Sequence, residues 1–381
     1  MIVLIAPDSF KESLSARAAA HAIEAGFRDI FLDAAYVLIP MADGGEGTVA
    51  AMADAMGGVI RECTVSGPLS GKVTARFALC GTTAVLEMAS ASGLALVPSS
   101  LRNPFLTSSY GTGEMIAAAL DAGADHLVIG IGGSATNDGG AGMLQALGVR
   151  LLDHNGTDIG RGGICLKDLH RIDTANLDSR LRECRIDVAC DVNNPLTGSS
   201  GASMVFGHQK GASPEMAAEL DRYLQHFAAV IKAELGRDIE QTPGSGAAGG
   251  MGAALLAFLN ASLRPGVEIV MEAVQLEDAV KRADLVITGE GCLDLQSLHG
   301  KAPVGVAQMA RRYGRTVIGI AGMLGADSTK LRDAGFDAVF SSIPCLTNRE
   351  ELLTHAAENL RLTAHNVASL FKCAKDHHDS P

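Results

Sequence analysis

The sequence predicts an α/β protein in which a doubly wound parallel sheet domain is interrupted by a second, mixed α/β domain. Three observations lead to this prediction. Short apolar runs alternate with helical patterns at both ends of the chain, the middle contains a hairpin pattern, and 47% of the 381 residues are hydrophobic. A chain of this length has room for about two domains of roughly 150 residues each.

The two ends of the chain share one pattern, in which a buried-type strand is followed by a loop and an amphipathic helix. In the first helix Ser13 or Ser15 can act as the cap, and Ala19, Ile23 and Phe27 fall on one face. Such alternation is typical of a parallel sheet with helices on both faces. The predicted strands are 2–6, 35–39, 59–65, 285–288, 316–320 and 338–340, with helices at 48–56, 303–313 and 331–334.

The middle of the chain departs from this pattern. Alternate residues from Val73 to Leu79 are apolar, and a Gly-Thr turn leads into a second apolar run at 84–88, which predicts an antiparallel hairpin. A long helix at 214–235 and a pair of short helices within 267–282 follow. The predicted domains are 1–65 plus 283–381, which form one discontinuous domain, and the inserted domain 66–282.

Charge and composition exclude several classes of partner. The net charge is −12, no basic run reaches five residues, and aromatic residues make up only 4% with no Trp, so neither nucleic acid nor an anionic membrane is an expected partner. The longest nearly apolar stretch, 252–263, is shorter than a membrane span. Eight Cys without a CxxC pair indicate reduced thiols and a cytoplasmic protein.

Glycine is concentrated in four loops. Residues 43–47, 130–148, 244–252 and 289–305 hold 19 of the 44 glycines. The segment 130–148 leaves a further predicted strand, 126–130, and enters a helix, so its backbone N–H groups are suited to hold a phosphate. The candidate binding residues in it are Gly132, Gly133, Ser134, Asn137 and Gly139. The alternative is a tight turn whose glycines serve only positive φ.

A second glycine loop has the spacing G-x-G-x-x-G at Gly244, Gly246 and Gly249. A dinucleotide fingerprint requires a preceding strand, and the polar residues before this loop make a poor one. An NAD(P)-dependent oxidoreductase is therefore only the alternative function. We expect Gly246, Gly249 and Gly250 to form a second anion site or a close helix-packing surface.

The third region follows a predicted strand with Glu290, Asp294 and Gln296, and then Lys301 at the start of a helix. Carboxylates at the carboxyl end of a strand suit Mg²⁺, so Glu290 and Asp294 are the predicted metal ligands. A lysine beside a helix N-terminus suits phosphate. The segment is not a Walker A motif, because Ala302 follows the lysine. Solvation of a polar surface is the alternative for each residue taken singly.

Three further segments carry polar candidates. Asp8 and Lys11 follow the first strand and Glu46 follows the second, with helix capping and solvent exposure as the respective alternatives for the two acids. Asp191 follows a buried strand and is our predicted general base, with a metal ligand or a turn former as alternatives. Lys210 lies in a glycine-flanked loop, and we expect it to be solvated.

The motifs taken together favour phosphoryl transfer. There is no GxSxG, HExxH or kinase HRD or DFG motif, whereas anion-binding loops, lysines and carboxylates are all present. We predict that phosphates bind the two glycine loops, that Lys11 and Lys301 neutralise phosphate or a substrate carboxylate, and that Asp191 accepts the hydroxyl proton. Asp8 is the alternative base.

Nine motifs in order resemble the bacterial glycerate kinase family (type I), over about residues 1–370. They are APDSFKESLSA, MADGGEGT, EMASASGLALV, SSYGTGE, GIGGSATNDGGAGMLQALG, ACDVNNPLTG, FGHQKGAS, GAAGGMGAALLAFL and TGEGCLDLQSLHGKAP. The resemblance implies a flavodoxin-like domain interrupted by a second α/β domain. It also implies a cytoplasmic, ATP- and Mg²⁺-dependent kinase of D-glycerate, with 2-phosphoglycerate favoured as product over 3-phosphoglycerate.

One departure from the family pattern concerns charge. The family commonly has GEGR[IL]D where this chain has Cys292 in place of the arginine. A thiol carries no fixed positive charge, so either the arginine is dispensable, Lys301 substitutes for it, or activity is reduced. A non-catalytic sensor that binds nucleotide or glycerate is the third candidate function. The sequence does not indicate an oligomeric state.

Overall fold

The computed structural model describes residues 1–45, 47–294, 297, 300–326 and 328–378. The chain forms two compact units, which we call unit 1 and unit 2. Unit 1 comprises Met1–Asp43, Asp54–Met56 and Val267–Pro381, and unit 2 comprises Gly44–Ala53 and Gly57–Gly266.

The regular elements alternate along most of the chain. The strands are β1 Ile2–Ile5, β2 Ala35–Leu38, β3 Val59–Ser66, β4 Lys72–Cys80, β5 Thr83–Glu87, β6 His126–Gly130, β7 Arg150–Leu152, β8 Arg171–Asp173, β9 Arg185–Ala189, β10 Ser262–Arg264, β11 Leu285–Thr288, β12 Cys292–Leu293, β13 Thr316–Ala321, β14 Met323–Leu324 and β15 Ala338–Ser341. The α-helices are α1 Ala16–Arg28, α2 Thr48–Met56, α3 Ala89–Ser92, α4 Tyr110–Asp121, α5 Ala141–Ala146, α6 Ala202–Phe206, α7 Pro214–Leu235, α8 Ala247–Phe258, α9 Gly266–Ala273, α10 Leu276–Arg282, α11 Ala302–Arg312, α12 Arg349–Thr354 and α13 Ala356–His378.

Unit 1 is built on one parallel sheet in the order β15-β13-β11-β1-β2. Read along the chain, this is the flavodoxin order 2-1-3-4-5, in which the strand order reverses between β1 and β11. Ligands of such sheets bind at the carboxyl ends of the two strands that flank the reversal. The predicted flavodoxin-like, doubly wound fold is confirmed.

The packing of α1 against α13 buries the apolar face of unit 1. Ser15 caps α1 by accepting from the N–H of Ala18, and Ile23 and Phe27 are fully buried beside Leu360 of α13. The helices lie so close at Gly26 that a Cβ there would be 2.3 Å from the carbonyl oxygen of Arg361. A glycine is therefore required at this crossing.

Unit 2 contains a mixed sheet in the order β10-β9-β6-β5-β4-β3. Strands β10, β9, β6 and β5 are parallel, whereas β4 is antiparallel to both of its neighbours. The predicted hairpin is thus β4 and β5. The core packs this sheet against helices through apolar side chains that include Met115, Leu144, Phe227 and Met251.

Most predicted elements lie where the sequence placed them, and α7 has the predicted bounds. The α-helix predicted at 331–334 is wrong. Its first two residues are the last two of a short 3₁₀ turn, Ser328–Arg332, and the next two lie in a turn. β10 was missed, since its three residues are too few to show a period. The boundary predicted at residue 65 differs from that of the units, because β3 pairs with β4 along its whole length and so joins unit 2.

The described helices were also compared with the requirements of a membrane span. None of them combines the length and the apolar character that crossing a bilayer demands.

The α1–α13 crossing provides a stability test. Gly26→Ala introduces a methyl group against the backbone of α13, and we expect the free energy of unfolding to fall by about 1–3 kcal/mol despite the better helix propensity of alanine. Gly71→Ala is the matched control, because a Cβ at Gly71 meets nothing within 4 Å. Equal thermal unfolding of the two variants would contradict the close crossing.

Candidate functional site

Unit 1 places two predicted carboxylates at the strand-order reversal. β1 and β11 are neighbours, with Ile5 opposite Ile287, so the segments that follow them leave the sheet side by side. Asp8 follows β1, and its N–H donates to the carbonyl oxygen of Gly289 at 2.8 Å. Glu290, which follows β11, is 6% exposed. The parallel sheet thus brings together residues from opposite ends of the chain.

Glu290 is held by two side chains from the segment that follows it. Its Oε1 accepts a hydrogen bond from Ser297 Oγ at 2.7 Å, and its Oε2 accepts one from Lys301 Nζ at 2.9 Å. Burial disfavours the charged ammonium, but its hydrogen bond and attraction to Glu290 outweigh burial and raise the pKa of Lys301. Lys301 is therefore a fixed cation at the N-terminus of α11.

Asp8 lies in a strongly acidic environment. Burial raises its pKa to about 7, and the carboxylates of Asp43 and Glu290 act in the same direction, while the Ser9 N–H and Lys11 oppose them. A cation beside these oxygens would relieve the repulsion. Carboxylate oxygens are also the donors that Mg²⁺ prefers, and it takes only one or two of them from the protein. The type of donor therefore suits Mg²⁺, although the described residues contain no group of three or more carboxylate, histidine or cysteine side chains that could hold a metal ion.

Asp294 and Ser297 exchange hydrogen bonds in a side-chain turn. Asp294 Oδ1 accepts from the N–H of Ser297 at 3.2 Å, and Ser297 Oγ accepts from the N–H of Asp294 at 3.1 Å. Cys292 Sγ lies 3.8 Å from Asp294 Oδ2. The predicted candidates Glu46 and Gln296 lie outside the described residues.

Unit 2 carries the first glycine loop at the carboxyl edge of its own sheet. Gly130, the last residue of β6, is paired in register with Ala189 of β9, so the loop after β6 leaves the sheet beside the segment that contains Asp191. Gly132 and Gly133 are exposed, and a Cβ at Gly132 would meet nothing within 4 Å. This part of the loop presents its backbone to solvent, as a phosphate site requires.

The second half of the same loop contains a buried carboxyl group. Asp138 is fully buried, and its carboxylate accepts hydrogen bonds from the N–H groups of Gly140 and Gly142 at the start of α5 and from the N–H and hydroxyl of Ser109. Burial raises the pKa of Asp138, and these donors oppose the rise. The N-terminus of α5 is thus capped internally, and phosphate binding by the neighbouring Gly139 stays a prediction.

The expectation that Lys210 is solvated is wrong. Lys210 is 2% exposed, and its Nζ donates to Ser134 Oγ and to the carbonyl oxygen of Thr136, both at 2.7 Å. Burial lowers its pKa to about 7, and the negative charge of Asp138 partly opposes this effect. Through these two hydrogen bonds Lys210 fixes the conformation of the glycine loop. The sequence places Gly211 directly after Lys210, and the φ of +93° there suits glycine, but this pattern indicates a turn and not a buried lysine.

Asn137 and the second glycine loop contribute to packing. Asn137 is fully buried, and its Nδ2 donates to Ser203 Oγ. A Cβ at Gly246 would lie 2.1 Å from the carbonyl oxygen of Pro195, and one at Gly249 would lie 1.9 Å from that of Thr136. These glycines therefore serve close approach of backbone segments, and a binding role for Asn137, Gly246, Gly249 and Gly250 stays a prediction.

The oxidoreductase alternative receives no support from this loop. Residues 236–246 form turns and irregular structure, so no strand leads into G-x-G-x-x-G as a dinucleotide fingerprint requires. In addition, Ala248, Gly249 and Gly250 have positive φ and interrupt α8 at its first turn.

Asp191 is exposed beyond the carboxyl end of β9. Its Oδ1 accepts a hydrogen bond from the N–H of Gly266 at 3.0 Å, which fixes the carboxylate. This placement is compatible with a general base.

Comparison with known proteins gives consistent matches over the whole length. The model of the glycerate kinase family matches residues 3–372. The chain is 55% identical to a glycerate kinase of Bacillus subtilis over 98% of this chain and 99% of that protein, and 54% identical to a glycerate 2-kinase of Escherichia coli over 97% of both. A crystal structure assigned as glycerate kinase 2 from Salmonella typhimurium superposes with a TM-score of 0.93 at 55% identity, covering 99% of both chains.

The buried lysine predicts a pH dependence of stability. The pKa of Lys210 is about 7 in the folded protein and returns to the ordinary value of 10.5 on unfolding, so above pH 7 the unfolded chain binds a proton that the folded chain does not. The free energy of unfolding of the wild type relative to Lys210→Met should therefore rise between pH 7 and 9, by at most about 1.4 kcal/mol per pH unit.

Chemical denaturation at pH 7, 8 and 9 measures this difference. Lys232→Met is the matched control, because Lys232 lies on the surface of the same unit and pairs with Asp238. Its difference from the wild type should stay flat over this range. A flat difference for Lys210→Met as well would mean that Lys210 keeps its proton in the folded state.

Proposed function

This chain belongs to the glycerate kinase family, and we propose that it transfers the γ-phosphoryl group of ATP to D-glycerate with Mg²⁺, yielding 2-phosphoglycerate. The observation that carries the proposal is the match to named glycerate kinases at up to 55% identity over nearly the whole chain. The cluster of Asp8, Glu290 and Lys301 at the strand-order reversal of unit 1 supports it, because this is where flavodoxin-like sheets bind ligands.

In unit 1 the residues supply charge. Lys301 and Lys11 would contact phosphate or the glycerate carboxylate, and Glu290 would act as a positioning residue that aims the Lys301 ammonium. Mg²⁺ would be held on carboxylates of this segment, with Glu290 and Asp294 as the ligands predicted from sequence and Asp8 beside them. Bound there, it would neutralise charge on the transferred phosphoryl group.

In unit 2 the residues supply backbone donors and a base. The exposed Gly132 and Gly133 would approach the ATP phosphates, and Ser134 would keep the loop in place through its hydrogen bond from Lys210. Asp191 would accept the proton of the attacking hydroxyl group. That hydroxyl oxygen forms a bond to the γ-phosphorus as the bond from phosphorus to the bridging oxygen of ADP breaks, so ADP leaves with the bonding electron pair.

The choice of hydroxyl group is supported by a relative. The similar protein of Escherichia coli is named for phosphorylation at position 2, and it covers 97% of this chain. A cytoplasmic location is part of the proposal, and its support is that all eight cysteines are free thiols.

The proposal is tested by coupling ADP release to an indicator reaction. D-glycerate should give turnover that requires ATP and Mg²⁺, glycerol and L-glycerate should give at most a small fraction of it, and ³¹P NMR should identify 2-phosphoglycerate. Absence of ADP release with D-glycerate would overturn the function, and a 3-phosphoglycerate signal would overturn the regiochemistry alone.

The same assay tests the base. Asp191→Asn keeps an oxygen that can accept from Gly266 but cannot take a proton, so kcat should fall by about 10²–10⁴-fold. Asp221→Asn is the control, because the carboxylate of Asp221 also accepts from a backbone N–H in unit 2. This variant should keep the wild-type kcat. Full turnover by Asp191→Asn would remove Asp191 as base and direct attention to Asp8.

The replacement of arginine by Cys292 is tested through Lys301. If Lys301 supplies the required cation, Lys301→Met should lower kcat by about 10²–10³-fold, and Cys292→Arg in that background should restore part of it. Cys292→Arg alone should change kcat little. A large gain for Cys292→Arg alone would show instead that the natural thiol limits activity.

A further inference from the structure

Unit 1 contains a polar cavity at the edge of its sheet opposite the candidate site. The cavity has a volume of about 460 Å³ and is lined by Arg311, Arg315 and Arg332 together with Asp337. Thr316, the first residue of β13, also lines it, so it lies at the amino end of the parallel strands. Asp8 and Glu290 follow the carboxyl ends. The cavity is therefore separate from the groups assigned to phosphoryl transfer.

The three guanidinium groups come from different segments. Arg311 lies in the last turn of α11, Arg315 precedes β13, and Arg332 ends the 3₁₀ turn before β15. Arg311 NH1 donates to the carbonyl oxygen of Asp333 at 3.2 Å, and Arg315 NH2 donates to the carbonyl oxygen of Lys281. These neutral acceptors orient the two side chains without cancelling their charge.

The three arginines have no carboxylate partner within the described ranges. Some other surface arginines do have one: Arg17 pairs with Asp54, Arg150 with Asp158 and Arg361 with Asp29. The nearby carboxylate of Asp337 is hydrogen-bonded to the backbone: its Oδ2 accepts from the N–H of Val317 at 2.8 Å. Three like charges thus converge on one cavity.

A second observation points to a missing acceptor. Arg315 Nε is buried and has no hydrogen-bond partner. A buried N–H of a charged group without an acceptor is costly, and an anion in the cavity would supply one. Guanidinium forks match the oxygens of phosphate, which offers more acceptors to three separate forks than a carboxylate does.

We propose that this cavity is a binding site for a phosphate group, either inorganic phosphate or the phosphate of a small ester, held by Arg311, Arg315 and Arg332. The volume exceeds that of phosphate alone, so an organic remainder can be accommodated beside Phe336. The site needs no residue of the phosphoryl-transfer machinery.

Isothermal titration with inorganic phosphate tests the site. Arg332 is exposed and makes no ion pair in the part of the chain that is described, so Arg332→Gln should fold normally and bind phosphate about tenfold more weakly than the wild type. Arg17→Gln removes the same charge from a paired surface arginine of unit 1 and should bind like the wild type. Phosphate bound at the glycine loops contributes equally to all proteins and cancels in the comparison.

A gain of affinity guards against misfolding as an explanation. Asp337→Asn removes the negative charge that Asp337 contributes to the cavity wall but keeps an oxygen for the Val317 N–H, so phosphate should bind several-fold more tightly. Titration with glycerol 3-phosphate shows whether a phosphate ester binds more tightly than inorganic phosphate. Titration with malonate shows whether the site prefers a phosphate to a dicarboxylate. Wild-type affinity in Arg332→Gln, no gain in Asp337→Asn, or tighter binding of malonate than of either phosphate would each overturn the proposal.

Discussion

The candidate site loops of both units contain backbone segments that approach each other more closely than a side chain permits. A Cβ at Gly289 would lie 1.7 Å from the carbonyl oxygen of Ile320, and one at Gly249 would lie 1.9 Å from that of Thr136. Only glycine satisfies such contacts. The first contact sets the path of the chain into Glu290, and the second fixes the loop that ends at Asp138. Many of the clustered glycines therefore shape the loops rather than contact a ligand directly.

Each unit also places a lysine at these loops, and the surroundings shift the pKa values of the two lysines in opposite directions. The half-buried Lys301 donates to the carboxylate of Glu290, which keeps the ammonium charged and raises its pKa. The fully buried Lys210 donates to a hydroxyl and a carbonyl, so burial dominates and lowers its pKa to about 7. The first lysine is suited to meet an anion. The second is suited to hold a loop, because its hydrogen bonds last even when its charge does not.

Local patterns were sufficient to predict the sheet of unit 1 and the edge at which its polar residues meet. Strand periods and the rule that ligands lie at the carboxyl ends of parallel strands placed Asp8 and Glu290 together, although they are far apart in the chain. The burial of Lys210 could not be predicted, because it depends on hydrogen bonds to Ser134 and Thr136, which precede it in the chain by 76 and 74 positions. The packing role of the second glycine loop could not be predicted either, because it also depends on distant contacts. The spacing G-x-G-x-x-G is the same whether the glycines approach a phosphate or another backbone segment.

The charges around Glu290 bear on Cys292, which stands where the resemblance leads us to expect an arginine. The described cluster contains the carboxylates of Asp8, Asp43, Glu290 and Asp294 but only two lysines, Lys11 and Lys301. Both substrates of a glycerate kinase are anions, so they would enter a segment whose own charge opposes them. A divalent cation offsets that excess of negative charge, and so would an arginine at position 292. With Cys292 there, phosphate neutralisation in the proposed reaction would fall to Mg²⁺ and Lys301, whose ammonium is held by Glu290.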